Sequence, residues 1–472
     1  MKQLIKFLCL LLVLTGCKTQ KIDFTIPQKT LPKSFKIGDA SNTIAEIDWH
    51  HYFSDPHLIK LIDTALASNP DLQIALQRVE YSKAGLLSAR GALKPTVSAQ
   101  LSPAVRKYGL YTMDGAGNVS TDILPDKMVP EHLPDFYLGL QSSWEIDIWK
   151  KLRNRERAAF SNYLASSEGI NFAKTTLITQ VALAYYDLIA LDNELEFLTE
   201  TILNQEQVLE VIKYHKEAGR ANELMVQQFK AQQLNTQTLQ RQVIQSINEA
   251  ENKINFLLGR YPQPIERSKA ELYRNVPEII EAGIPSQLLL HRPDVRAANY
   301  RLQAARFDVK AANAEFLPRI TLSAGLGYQA FNPKYLLNTP ASIAYSLVGG
   351  LMAPLVNKNA IQAKFDMAKS SQIMAMYEYQ KAIIGGYTEV VNELSRINAL
   401  AEISKLKTAQ SQVLEASVST SNELYSAAKA TYLEVLVAQQ NALYAKLEMV
   451  NAHKMQLTAS VNIYRALGGG WK

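Results

Sequence analysis

The chain has 472 residues, 47% of them apolar and 20% charged, with a formal net charge of +6 and only two cysteines. That charge is too mild to argue for nucleic acid, and two of its positive residues, Lys2 and Lys6, lie in a segment expected to be removed. No basic run carries interleaved aromatics and no Cys/His spacing suits zinc, so a nucleic-acid module and a zinc domain are both set aside.

The N-terminus has the form of a secretory signal over residues 1–16: Lys2 and Lys6, then an apolar run from Phe7 to Leu14, too short to span a bilayer. It closes on Leu14-Thr15-Gly16-Cys17, which resembles a bacterial lipobox, so Cys17 is expected to carry covalent lipid. Two or more acyl chains anchor stably where one does not. Lys18 after the cysteine points, by analogy with enteric bacteria, to the outer membrane. Cys9 lies inside the signal, so the processed chain has no intramolecular disulfide.

Residues 17–55 are predicted to be an extended lead-in, and Asp55-Pro56 opens a short amphipathic helix. Asn69-Pro70 starts a longer helix, with Asn as N-cap and proline in the first turn, where its missing N–H costs nothing. After Pro95 the apolar period changes to two, predicting a β-hairpin over about 96–147. Its strands include Val97, Ala99 and Leu101, then Phe136, Leu138 and Leu140, and the turn-rich stretch between them reads as loop. A long helix follows over about 150–217, with Leu177, Val181, Ala184 and Leu188 on one stripe and Ile178, Ala182, Tyr185 and Ile189 on a second. At about 1.5 Å per residue it is near 100 Å long, and a sustained seven-residue repeat implies supercoiling on neighbours. A break at Ala218-Gly219-Arg220 leads to a return helix over about 222–258.

The order then recurs. After a Pro-rich linker, 259–291, Arg292-Pro293-Asp294-Val295 opens a helix, and a second β-hairpin is predicted over about 319–354. A long helix covers about 358–427, a return helix about 430–467, and 468–472 form a tail. Pro70 and Pro293 differ by 223 residues, whereas Gly219 and Ala428, and Leu258 and Leu467, differ by 209, so the first hairpin is the longer. The fold class expected is therefore mainly α with a transmembrane β part and an internal two-fold repeat. Four strands of about ten residues suit a membrane but are too few to close a barrel, which begins at about eight. An open edge in lipid leaves backbone groups unsatisfied, so the barrel has to be shared between chains.

The segment from Gly283 to Val295, with Leu288-Leu289-Leu290-His291-Arg292-Pro293-Asp294 at its heart, resembles the signature of TolC-type outer-membrane factors of the lipoprotein branch, the NodT, OprM and CusC-like proteins. Asn69-Pro70-Asp71-Leu72, Trp144-Glu145-Ile146-Asp147, Leu433-Glu434-Val435-Leu436 with Ala438-Gln439, and the closing Tyr464 to Trp471 fit the same pattern. The resemblance covers essentially the whole processed chain. It implies a homotrimer whose twelve-stranded β-barrel continues into a long α-helical barrel. It implies export of small molecules such as drugs, with a periplasmic adaptor and an inner-membrane resistance-nodulation-division transporter as partners.

It also implies roles for residues. The two helix-turn-helix tips, Gly219-Arg220 and Ala428-Lys429, correspond to the adaptor-docking end. Alanine tolerates a left-handed turn poorly, so the second turn is expected to be displaced or not left-handed. Leu433, Glu434 and Tyr425 match a periplasmic gate, in which three copies of Glu434 would form a cation-favouring ring with a raised pKa. The second acidic gate position is Val437 here. Arg292-Pro293-Asp294 reads as structural, His50, His51 and His57 as surface residues, and Met374 and Met376 as packing. No catalytic site, metal or cofactor is expected beyond the lipid on Cys17. The alternatives are a metal-cation duct, a protein-secretion duct, a non-conducting scaffold lipoprotein and an enzyme on a helical stalk.

Overall fold

The structure is a computed structural model that describes residues 30–35, 43–274, 281–353 and 359–471. The signal segment, Cys17, most of the lead-in and Lys358 lie outside them. The elements are α1 (Pro56–Ser68), α2 (Pro70–Gly91), β1 (Thr96–Arg106), α3 (Met113–Ser120), β2 (Asp122–Leu124), β3 (Lys127–Met128), β4 (Leu133–Ile146), α4 (Lys151–Glu217) and α5 (Glu223–Leu257). They continue with α6 (Pro293–Ala314), β5 (Arg319–Ala330), β6 (Ile343–Met352), α7 (Asn359–Ser426) and α8 (Tyr432–Leu467). The chain is mainly helical with one four-stranded sheet, the fold class read from the sequence. The described residues form two compact units, one of Tyr81–Tyr163 with Arg301–Met376, the other of the remainder.

In the first unit the sheet runs β1-β4-β5-β6, antiparallel throughout. Register pairs Leu101 with Leu138, Leu140 with Leu326, and Leu326 with Tyr345, so the apolar residues of all four strands share one face. That face is bare: Leu101 is 69% exposed and Leu347 72%. The other face carries Ser98, Gln141, Ser143, Ser323 and Ser346, the alternation of a sheet with lipid on one side and water on the other. Gly139 and Gly327 face each other so closely that a Cβ on Gly139 would sit 2.6 Å from the Gly327 Cα, and the Tyr137 hydroxyl covers the same spot. Trp144 and Trp149 donate through their indole N–H to the carbonyls of Leu93 and Pro318 at 3.0 and 2.8 Å. The Asp147 carboxylate accepts from the N–H groups of Leu152 and Arg153, both at 2.9 Å, and so caps the start of α4.

Two expectations are corrected here. The described end of the lead-in is not extended throughout, for it holds a 3-10 turn over Ile44–Glu46 and a short helix over Trp49–Tyr52, capped by Thr43 and Asp48. The stretch between β1 and β4 is not all loop, for it holds α3 and the small β2–β3 hairpin, strands beyond the four read from the sequence. Thr112 caps α3 by accepting from Gly115 N at 3.1 Å, and a Cβ on Gly115 would lie 2.1 Å from the Gly109 carbonyl oxygen. Glycines that read as loop signals serve instead as close-approach points.

In the second unit both stripes of α4 are buried. Leu177, Val181, Ala184 and Leu188, with Ile178, Ala182, Tyr185 and Ile189, pack against Leu58 and Ile62 of α1, Ile254 of α5 and Val461 of α8. Each such aliphatic side chain contributes about 1.5–3 kcal/mol on burial. Val390, Leu394 and Ile397 of α7 pack with Ala459 and Ile463 of α8. Asp55 caps α1, accepting from His57 N at 2.8 Å, and also takes the hydroxyl of the buried Tyr185.

The two proline corners are closed by the same device. Asn69, buried before Pro70, accepts from Leu72 N at 2.9 Å and donates to the Leu257 carbonyl at 2.8 Å. Arg292, buried before Pro293, donates to the Ala466 carbonyl at 2.6 Å. Each acceptor lies two residues before a left-handed glycine, Gly259 (φ +66°) and Gly468 (φ +94°). A Cβ on these glycines would stand 2.5 Å from the Ser68 oxygen and 2.6 Å from the His291 carbonyl, so the return helix ends hard against the corner it is tied to. Arg292 also pairs with Asp294 and Glu389, both at 2.8 Å. Burial disfavours its charge, and these carboxylates more than offset that, holding the guanidinium above its ordinary range. Arg292→Leu, which strands Asp294 and leaves Glu389 to Arg465 alone, is expected to cost about 3 kcal/mol. Asn69→Ala is expected to cost about 1–2 kcal/mol. The midpoint of thermal unfolding in detergent, followed by circular dichroism, should fall for both and further for Arg292→Leu.

Candidate functional site

The residues singled out in the sequence collect at the two helical turns of the second unit. At the first turn Gly219 is left-handed (φ +73°), Gly219 N donates to Lys216 O at 3.0 Å, and Arg220 N reaches back to His215 O at 2.8 Å. This is the Schellman arrangement, which satisfies the last-turn carbonyls. Asn222 then caps α5, accepting from Met225 N at 3.0 Å, and Lys216 pairs with Glu223 across the turn.

At the second turn the expectation for Ala428 is overturned. Ala428 is left-handed, φ +58°, and the turn is not displaced. Ala428 N donates to Tyr425 O at 3.0 Å and Lys429 N to Leu424 O at 2.8 Å, matching the first turn bond for bond. A left-handed Cβ costs about 1–2 kcal/mol, and the two hydrogen bonds that the turn alone makes possible outweigh it. Glu434 here ties down the start of α8: its carboxylate accepts from Thr431 N at 2.5 Å and from the Thr431 hydroxyl at 3.0 Å. Those two bonds hold the Glu434 carboxyl below its ordinary range, the opposite direction from the ring repulsion expected between copies.

Between the turns lies an apolar cluster of Leu209, Ile212, Met225, Phe229 and Val435, with Tyr425 and Tyr432 packed on it. The Tyr425 hydroxyl stands 3.9 Å from the Met225 sulfur, linking α7 to α5. Beside the cluster opens a cleft of about 810 Å³, lined by His215, Arg220, Met225, Phe229, Tyr425 and Ala428 among others. So Arg220, Ala428 and Tyr425 meet on one cleft, while Gly219, Lys429, Leu433 and Glu434 are outside its lining. Leu433 is half exposed, and Val437 beside it is nearly so. Val208 and Phe229 of this cleft carry no signal in the sequence that marks them as site residues. The Thr431–Glu434 bond does carry one, for Thr-x-x-Glu before an apolar run is a capping-box signal.

The profile described as "Outer membrane efflux protein" matches residues 61–260 and 284–469. The chain belongs to the outer membrane efflux protein family. It is 30% identical over 429 residues to the solvent efflux pump outer membrane protein SrpC of Pseudomonas putida, covering 89% of this chain and 87% of that protein. It is 26% identical over 472 residues to the cation efflux system protein CusC of Escherichia coli O6:H1, covering 98% of each. In structure it is similar to the open state of the Neisseria gonorrhoeae MtrE outer membrane channel, with a TM-score of 0.82 and 23% identity over 96% of this chain and 99% of that one. The chain is thus an outer-membrane efflux channel protein and not an enzyme.

Two outcomes test the turn geometry. Ala428→Gly should stabilise the second turn by about 1 kcal/mol, and Gly219→Ala should weaken the first by as much. Slower and faster amide exchange at Lys429 and Arg220, respectively, would register the changes. The Glu434 cap is fully present above the ordinary carboxyl value of 4.5 and is lost as pH falls below it. Amide exchange at Thr431 should therefore quicken in acid, and Glu434→Gln, which keeps a reach-back acceptor, should remove that dependence.

Proposed function

We propose that this protein is the exit duct of a tripartite efflux system, passively exporting small molecules such as drugs or solvents while an inner-membrane pump supplies the drive. The observation that carries the reading is the sheet: β1 and β6 are open edges, and the apolar face is uncovered. Among the described residues no helix is long and apolar enough to cross a membrane. An unpaired edge in hydrocarbon costs several kcal/mol per polar group, so the edges demand partners. Three copies supply twelve strands, β6 of one pairing antiparallel with β1 of the next. Covalent lipid on Cys17 holds each copy at the outer membrane.

The turns around Gly219-Arg220 and Ala428-Lys429 receive the periplasmic adaptor, and the cleft lined by Arg220 and Tyr425 is the part of that surface each copy owns alone. Leu433 and Glu434, exposed beyond the cluster, form the narrowing of the pore, with Tyr425 holding it shut against Met225. A relative named for solvent efflux and another named for cation efflux match this chain at similar identity, and the small-molecule reading follows the former.

Planar-bilayer recording tests the duct. The full chain should conduct with cation preference, Glu434→Gln should lose that preference with its helix start intact, and Tyr425→Phe should open more often. No current from any of the three would overturn the duct in favour of a scaffold. Labelled palmitate should enter the wild-type chain and not Cys17→Ala.

A further inference from the structure

β4 ends at Ile146 and α4 begins at Lys151, and the turn between them holds Ile148, Trp149 and Lys150 in a row, all exposed, the first two at 52% and 45%. Ile146 pairs with Ile320 and Trp144 with Leu322, so the turn follows directly on the sheet's apolar face. β4 is an inner strand, flanked by β1 and β5 of the same chain, so the turn leaves the sheet away from the edges where further copies would pair. Lys150 is left-handed, φ +60°, a conformation that glycine adopts more cheaply. Among the described residues it has no acidic partner, while Lys151 beside it pairs with Glu145 and Arg155 pairs with Glu315. Arg153, its side chain 59% exposed, lies 3.9 Å from an Asp147 carboxylate that already accepts two backbone N–H groups. The stretch 147–157 carries five bases and two acids. The connection at the opposite end of the sheet, 106–135, carries three bases and five acids, with Arg106 and Lys107 paired to Asp135 and Glu131. Positive charge is in excess at one end of the apolar wall and negative charge at the other.

We infer that this turn binds the headgroup of an anionic phospholipid in the leaflet on the α4 side, an inference that rests on the lipid-facing reading of the sheet. Ile148 enters the acyl boundary, the Trp149 indole sits at headgroup depth, and Lys150 with Arg153 takes the phosphate. Interfacial tryptophan accepts any headgroup, so the selection comes from charge. A zwitterionic lipid sets its own ammonium against its phosphate and gains little from Lys150, whereas an anionic lipid brings a phosphate with no such match. An acidic protein fits the turn less well, because Ile148 and Trp149 adjoin the apolar rung of Ile146 and Ile320.

The test places the full chain in phosphatidylcholine bilayers doped with brominated phosphatidylglycerol or, at the same fraction, brominated phosphatidylcholine, and follows the quenching of tryptophan fluorescence. The part of the quenching lost in Trp149→Phe reports the turn, and the part lost in Trp144→Phe reports the apolar wall. Phosphatidylglycerol should be preferred at Trp149, with Lys150→Gln and Arg153→Gln each lowering the preference about fivefold and Lys150→Arg keeping it. Raised salt should lower it as well. Lys127→Gln, at the opposite end of the sheet, should leave it unchanged. Equal quenching by the two lipids at Trp149, a preference that survives both Lys150→Gln and Arg153→Gln, or an equal fall in Lys127→Gln would each overturn the headgroup site while Trp144 still reported lipid contact. No quenching at either tryptophan would overturn the lipid-facing reading together with it.

Discussion

Everything in the helical unit hangs on one constraint: the residue before each corner proline hydrogen-bonds a carbonyl at the far end of its own half. Asn69 holds Leu257 and Arg292 holds Ala466, across 188 and 174 residues. The halves match each other in length, 67 and 35 residues for α4 and α5 against 68 and 36 for α7 and α8, so each return helix closes on its own corner at the same place in the repeat. The left-handed glycine that follows removes the side chain that would hold the ends apart. The chemistry of the donor is free to differ, an amide in one half and a guanidinium in the other, because the acceptor geometry is what is fixed. The guanidinium needs Asp294 and Glu389 to be tolerable when buried, and Gly386 to make room for it, which explains why the second corner is acidic and crowded while the first is plain.

The sheet poses the opposite problem. Its interior pairs are satisfied, but its two edges and its apolar face are not. A soluble protein would cover that face or place charges on it. Here the exposed positions are leucine, valine and tyrosine in unbroken register over four strands, which is what a lipid-facing wall requires and what water forbids.

Much of this was legible in the sequence because burial and period coincide. The stripes of α4 are buried where a seven-residue spacing put them, and the strand faces follow from alternation alone. What escaped was of two kinds. Long-range closure leaves no local pattern: Asn69 reads as an N-cap, and nothing near it announces Leu257. Turn chemistry shows only one side in a sequence. The residue type at Ala428 announces the Cβ penalty, whereas the two hydrogen bonds that offset it exist only once the turn has closed, and Gly115 marks a flexible backbone whether it sits in a loop or admits a helix packed on its own turn.

The tips show how one position can serve two halves differently. Met225 and Glu434 are 209 residues apart and equivalent in layout. Met225 is buried in the cluster between the hairpins, beneath Tyr425, while Asn222 caps the start of α5. Glu434 is exposed and binds Thr431, while Val435 beside it enters the same cluster. Both helix starts are therefore capped and anchored, and the matched position is an apolar anchor in one half and the cap itself in the other. The same bonds fix the charge of Glu434. Repulsion between hydrated carboxylates across a water-filled pore is weak, and a charge-assisted bond to a backbone N–H outweighs it. In the proposed trimer three Glu434 side chains therefore stay ionised at neutral pH, and the ring that the gate reading requires is a charged one.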